Sequence, residues 1–164
     1  MITGVQGPRG PTVAVLVDDG MSPLEFGVAC DVFGVEHAGV GARWYDLVVC
    51  AARRRVVRTD AGFSVQAGTS LEALARAHTI VVPPIDAEEA RPPSAPVLTA
   101  LTAAHRRGAR VISLCTGAFV VAAAGILDGR CVRAPTGPMP RHSPRSTGLS
   151  RSMRACRMSM TATC

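Results

Sequence analysis

Lysine is missing from this chain of 164 residues: all 18 of its basic residues are arginine, a bias that points to a GC-rich coding sequence. Aromatic residues are scarce, at 4% against a hydrophobic content of 48%, so any core must be built from small aliphatic side chains. The six cysteines form no C-x-x-C pair. This excludes a zinc knuckle, and with no signal peptide in the opening MITGVQGPRG it also argues against a disulfide framework. A reducing cytoplasm is the expected location. No apolar stretch reaches the roughly 18 residues of a membrane span. The longest, at 111–127, is broken by Ser113, Thr116 and Gly117. Acidic residues stop short of the last segment. Residues 1–130 balance twelve arginines against twelve acids, whereas 131–164 hold six arginines and no acid, so the +6 net charge belongs wholly to that tail.

The length suits one domain. Thr12 to Val17 (TVAVLV) is a β-branched apolar run, as expected for a central parallel strand, and Asp18-Asp19-Gly20 ends it. Ser22-Pro23-Leu24-Glu25 offers an N-cap, a proline at the first helical position and a capping-box glutamate for a helix reaching about His37. Tyr45 to Ala51 predicts a strand, and Val56-Val57 with Phe63 to Gln66 a hairpin around Asp60-Ala61-Gly62. Leu71 to Ala77 predicts a short helix capped by Thr69 or Ser70. Thr79 to Val82 is the next strand, followed by the loop PPIDAEEARPPSAP, whose prolines and charges predict an exposed loop or lid. Val97 to Arg107 reads as a helix stopped by Gly108. Alternating strands and helices with short links predict a doubly wound parallel sheet, which binds ligands at the carboxyl ends of its strands.

Arg110 to Leu127 (RVISLCTGAFVVAAAGIL) reads as strand, tight turn and helix, with Cys115 at the corner. A cysteine there projects its sulfur towards the start of a helix, where unpaired N–H groups favour a thiolate, as serine does at the nucleophile elbow of α/β hydrolases. The alternative is a small apolar residue filling a tight corner. His37, His78 and His105 lie at element ends and read as solvated residues, and His142 falls in the tail. Asp18-Asp19 lacks the third acid or clustered histidines that a metal would need, so no metal or other cofactor is expected. Arg53-Arg54-Arg55 reads as a wet hairpin face.

The order of these elements resembles the PfpI-type fold, which is flavodoxin-like and class I glutamine amidotransferase-like, over residues 12–130. The combination of D-G-x-x-P-L-E at Asp19–Glu25, S-L-C-T-G-A-F at Ser113–Phe119 and A-G-I-L-D-G-R at Ala124–Arg130 looks more narrowly like the amino-terminal domain of AraC-type transcriptional regulators. The resemblance implies a leader at 1–11, a domain at 12–130 that senses a small-molecule effector and forms a homodimer, and DNA binding through a carboxy-terminal helix-turn-helix domain that is missing here. It implies no membrane association. The ligand pocket would lie over Cys115, lined by Asp19, Gly20, Glu25, Pro84, Thr116 and Gly117.

The runner-up is a PfpI-like cysteine hydrolase or glyoxalase-like enzyme with Cys115 as nucleophile and Glu25 tuning its proton affinity. Three departures count against it. Protease-like relatives carry histidine where this chain has Thr116. The histidine of the family's T-H-W motif is absent. Relatives have glycine where this chain has Pro84, which has no N–H to offer an oxyanion.

Residues 131–164 show no helix or strand period and read compositionally as disorder. A shifted codon frame permits Thr-His-Trp over Ala134–Pro140 and Tyr-Val-Asp-Asp-Gly-Asp-Val over Arg157–Cys164, two motifs of the family. A frameshift near codon 130 is therefore expected, leaving the fold incomplete at its C-terminus, with exposed apolar surface and marginal stability. The alternative is a genuine basic tail that binds nucleic acid.

Overall fold

The computed structural model describes residues 10–36, 44–51, 56–85 and 93–128. The expectations for the leader, Arg53 to Arg55, His37, His142, the 86–92 part of the proline-rich loop and the 131–164 tail fall outside these residues.

Five parallel strands make the central sheet, in the order β5-β2-β1-β6-β7. They are β1 (Thr12–Val17), β2 (Asp46–Ala51), β5 (Thr69–Ser70), β6 (Thr79–Val82) and β7 (Arg110–Ser113). β1 sits in the middle because its sequence is apolar on both faces: Val13 to Val17 are completely buried. The pleat sends Val13, Val15 and Val17 to one side, with Met21, Ala29, Phe26 and Phe33 of the β1–α1 segment. Ala14 and Leu16 go to the other, where they meet Leu74, Val97, Leu101, Val120 and Val121. Helix α1 (Pro23–Gly34) therefore covers one face, and α2 (Ala95–Arg106) with α3 (Gly117–Ala123) covers the other. The doubly wound architecture is as expected.

The hairpin also forms as expected. β3 (Val56–Arg58) pairs antiparallel with β4 (Ser64–Gln66), Val57 opposite Val65, as a separate two-stranded sheet.

Three expectations need correction. No capping box closes α1: Ser22 is the N-cap but its side chain accepts no capping bond. The Ser22 backbone N–H instead donates to the Pro84 carbonyl at 3.1 Å, tying the helix start to the end of β6. Ser70 is the N-cap of the next segment, as expected, though without a side-chain capping bond, and with Thr69 it also forms β5, in register with Cys50 and Ala51. The segment after them is a short 3-10 helix at Leu71–Ala75, shorter than predicted, because Arg76 and Ala77 N–H groups close tight turns back to Ala73 and Leu74. Helix α1 ends at Gly34, where a Cβ would lie 2.7 Å from Leu47 Cδ2 of β2.

Among the described residues no helix is long and apolar enough to cross a membrane.

Candidate functional site

The strand order places a crevice. From β1 the chain moves outward to β2 and β5, then crosses back to β6 on the other side of β1. Loops leaving the carboxyl ends of β1 and β6 therefore diverge, which opens the space where doubly wound folds bind ligands. Three segments meet there: Asp18 to Ser22 after β1, Pro83 to Ile85 after β6, and Leu114 to Thr116 after β7.

The third segment carries Cys115. Its φ is 46°, the left-handed region that a side-chain-bearing residue rarely adopts, and the residue is exposed. Two contacts impose this corner. Leu114 N–H donates to the Val82 carbonyl at 3.0 Å, extending the β6–β7 ladder one residue past the strand. Gly117 N–H then donates to the Leu114 carbonyl at 2.9 Å, folding the chain back at once into α3. Gly117 permits the fold-back: a Cβ there would strike the Val82 carbonyl oxygen and come within 2.9 Å of that of Pro83. The elbow read from the sequence is thus present in backbone geometry.

The first segment is held from the hairpin side. Gly20, at φ 79°, donates its N–H to the Arg58 carbonyl at 2.8 Å. Arg58 N–H donates back to Asp19 Oδ1 at 3.0 Å, and Met21 bridges to Thr59. These clasps link residues some forty positions apart and had no signature in the sequence.

Glu25 stands in the first turn of α1 on its core-facing side. Ala29, one turn further on, is buried, and Phe26 packs into the same cluster, whereas Leu24 points outward and is 72% exposed. Glu25 Oε2 is itself buried and has no hydrogen-bond partner among the described residues. Pro84 contributes only a carbonyl, already engaged by Ser22 N–H.

Both described histidines lie at the other end of the sheet. His78 precedes β6, and its Nδ1 accepts the Thr12 N–H at 3.1 Å at the start of β1. His105 is in the last turn of α2, which runs down to the amino end of β7. Neither can serve Cys115 as a base. No group of three or more metal-ligating side chains occurs among the described residues. The structure thus brings Asp19, Gly20, Glu25, Pro84, Cys115, Thr116 and Gly117 to one end of the sheet.

Comparison with known proteins agrees with this geometry. Residues 11–138 match the family described as DJ-1/PfpI. An uncharacterised protein from the cpoL 5′ region of Streptomyces lividans is 42% identical over 122 residues, which cover 72% of this chain and 82% of that protein. Among solved structures, an AraC family transcriptional regulator from Pseudomonas putida superposes with a TM-score of 0.59 at 23% identity, covering 74% of this chain and 64% of that one. Oxidised DJ-1 from Toxoplasma gondii gives a TM-score of 0.61 at 23% identity, covering 76% of this chain and 67% of that one. At such identities the likeness is one of fold, and this chain spans less than two thirds of the regulator's length.

Proposed function

Since the chain belongs to the DJ-1/PfpI family, we propose that it is the effector-sensing and dimerising domain of an AraC-type transcriptional regulator, with its ligand held in the crevice over Cys115. Asp19, Gly20, Glu25, Pro84, Cys115, Thr116 and Gly117 line that site. In such a regulator DNA is bound by a helix-turn-helix unit, which the described residues do not include. The homodimer is formed through the exposed stripe Leu24, Val28 and Val32, which follows helical spacing along α1 and is continued by Val35 just past its end. A cytoplasmic location fits this role.

One observation carries the reading: among the described residues no histidine stands near the elbow cysteine. A thiol nucleophile in an acyl-transfer site needs a histidine within hydrogen-bond reach and an N–H pair for the oxyanion. Here the described histidines are at the opposite pole of the sheet, and Pro84 supplies no N–H. What remains is a soft, exposed sulfur just past the carboxyl end of β7, beside the loops that leave β1 and β6. The likeness in fold to the Pseudomonas regulator supports the same direction. The strained φ of Cys115 is the feature that favours the hydrolase reading instead.

Parallel measurements on Cys115→Ala separate the two. A sensor retains metabolite-induced thermal stabilisation in the variant and shows no turnover of esters or glyoxals with either protein. Turnover by the wild type that Cys115→Ala abolishes would overturn the proposal.

A further inference from the structure

The charge balance of the fold hides a segregation. Between Ala73 and Leu127 the acids are Asp86, Glu88 and Glu89, and all belong to the stretch between β6 and α2, whose two ends join the fold at the carboxyl end of the sheet. At the amino end, Arg76-Ala77-His78 leads into β6, and His105-Arg106-Arg107-Gly108-Ala109-Arg110 leads from α2 into β7. Two hydrogen bonds hold these segments side by side. Arg107 donates through Nη2 to the Ala77 carbonyl at 3.0 Å, and Arg110 N–H donates to the His78 carbonyl at 3.0 Å. The register of Thr79 with Arg110 continues the contact into the sheet.

Little nearby answers these arginines. Arg76, Arg106, Arg107 and Arg110 are all exposed, and only the Arg107 guanidinium is engaged by the fold, through the Leu74 and Ala77 carbonyls. Glu72 and Asp128, at the two borders of the stretch, form no ion pair with them among the described residues. Glu36 and Asp46 share this end of the sheet but stand beside β2, two strand spacings or about 10 Å from β6, which is one Debye length at about 0.1 M salt. The carbonyl ends of α2 and α3 offset about half a charge each, against four arginines. Positive charge is left in surplus.

We infer that this end of the fold docks on the phosphate backbone of duplex DNA. The arginines are spread over the 3-10 segment, α2 and the start of β7, so a single small anion cannot reach them all, whereas a polyanion meets several at once. Guanidinium forks match phosphate oxygens bidentately, and contacts of this kind position a protein without reading sequence. A second observation favours nucleic acid over an acidic peptide. Ala124, the C-cap of α3, accepts the Thr102 hydroxyl at 3.0 Å and lines the same groove as Arg106, so the chain leaves α3 beside these arginines. The sequence past residue 130 then adds six more and no acid. So long a run of one sign suits the continuous charge of a duplex.

The test uses the full chain and a labelled DNA duplex of arbitrary sequence, with fluorescence anisotropy read over a salt series. Combining Arg76→Gln, Arg106→Gln and Arg110→Gln should flatten the slope of log affinity against log salt by about 1–3, since each phosphate contact contributes about 0.9. At low salt the triple variant should bind roughly tenfold or more weakly. The tail is identical in both proteins, so the difference belongs to the fold. The three side chains are exposed and make no bond among the described residues, and each single substitution, measured alone, should show a share of the loss. Arg58→Gln removes the same charge at the other end of the sheet, where the clasp on Gly20 and Asp19 is made by backbone, and should leave the slope unchanged. An unchanged slope in the triple variant places all binding in the tail and overturns the inference, as does a wild type that binds no DNA. Poly-L-glutamate that displaces the duplex as well as unlabelled DNA does, at equal charge, overturns the choice of nucleic acid. None of these outcomes bears on the crevice over Cys115.

Discussion

Cys115 occupies a backbone region that costs a side-chain-bearing residue about 1–2 kcal/mol, whereas glycine enters it freely. That strain is held in place by the next residue but one, since Gly117 alone lets α3 begin against the carbonyls of Val82 and Pro83. The two positions therefore respond to substitution with opposite signs. Cys115→Gly should be more stable than Cys115→Ala by about 0.5–1 kcal/mol, after allowing for glycine's extra freedom in the unfolded chain. Gly117→Ala should lose about 1–3 kcal/mol, because the atom it strikes is backbone and cannot swing aside. Urea denaturation of the three variants measures both. A Gly117→Ala protein as stable as the wild type would refute this account of the elbow. The corner itself was legible in the sequence, because an apolar run, Cys-Thr-Gly and a small-residue segment can be joined only by a sharp turn. The local packing of Glu25 was not. Its spacing from Ser22 matches a capping box, but the Ser22 N–H is taken by the Pro84 carbonyl and Glu25 Oε2 is buried without a partner among the described residues.

At the scale of elements, strands whose character is written in continuous apolar sequence were read to the residue, as β1 and β6 show. Thr69–Ser70 was missed for the opposite reason. Two polar residues carry no period, and they become a strand only because the edge of β2 offers them a ladder at Cys50 and Ala51. That pairing buries Cys50, and burial pushes its thiol up from the ordinary value of 9.0, partly offset by the Thr69 hydroxyl, which donates to Cys50 Sγ at 3.3 Å. The consequence for stability has a definite sign. A thiol whose folded-state value is raised stays protonated while the unfolded chain ionises, so its contribution is complete below about 9 and falls away as pH rises beyond it. Cys30, raised by burial on α1, adds in the same direction. The urea midpoint should therefore decline as pH is raised from neutral to about 10. Cys50→Ala should flatten part of that decline and leave the portion due to Cys30. A wild-type midpoint that rises over this range would contradict the assignment.

The whole molecule pairs a charge-balanced fold with a basic tail. Residues 1–130 carry as many acids as arginines, so the domain has no net repulsion to keep two copies apart. In the proposed dimer the attraction would come from the outer side of α1, where Leu24, Val28 and Val32, with Val35 just past the helix end, are each at least 45% exposed, and Gly27 lies within the same stripe with open space where a Cβ would be. An exposed glycine in mid-helix costs about 1 kcal/mol relative to alanine, a cost that close helix-to-helix approach can offset. Salt separates association through this stripe from association through the tail. Apolar burial is unaffected or strengthened by added salt, whereas contacts made by the six tail arginines with nucleic acid weaken steeply. Sedimentation of the full chain free of nucleic acid should show a dimer that persists as salt is raised. Leu24→Glu with Val28→Glu should yield monomer at the same concentration, because each copy would bring two carboxylates into an apolar seam. Deleting residues 131–164 should leave the dimer intact. If that deletion abolishes association while the double substitution leaves it unchanged, the interface lies in the tail and the α1 stripe has no part in it.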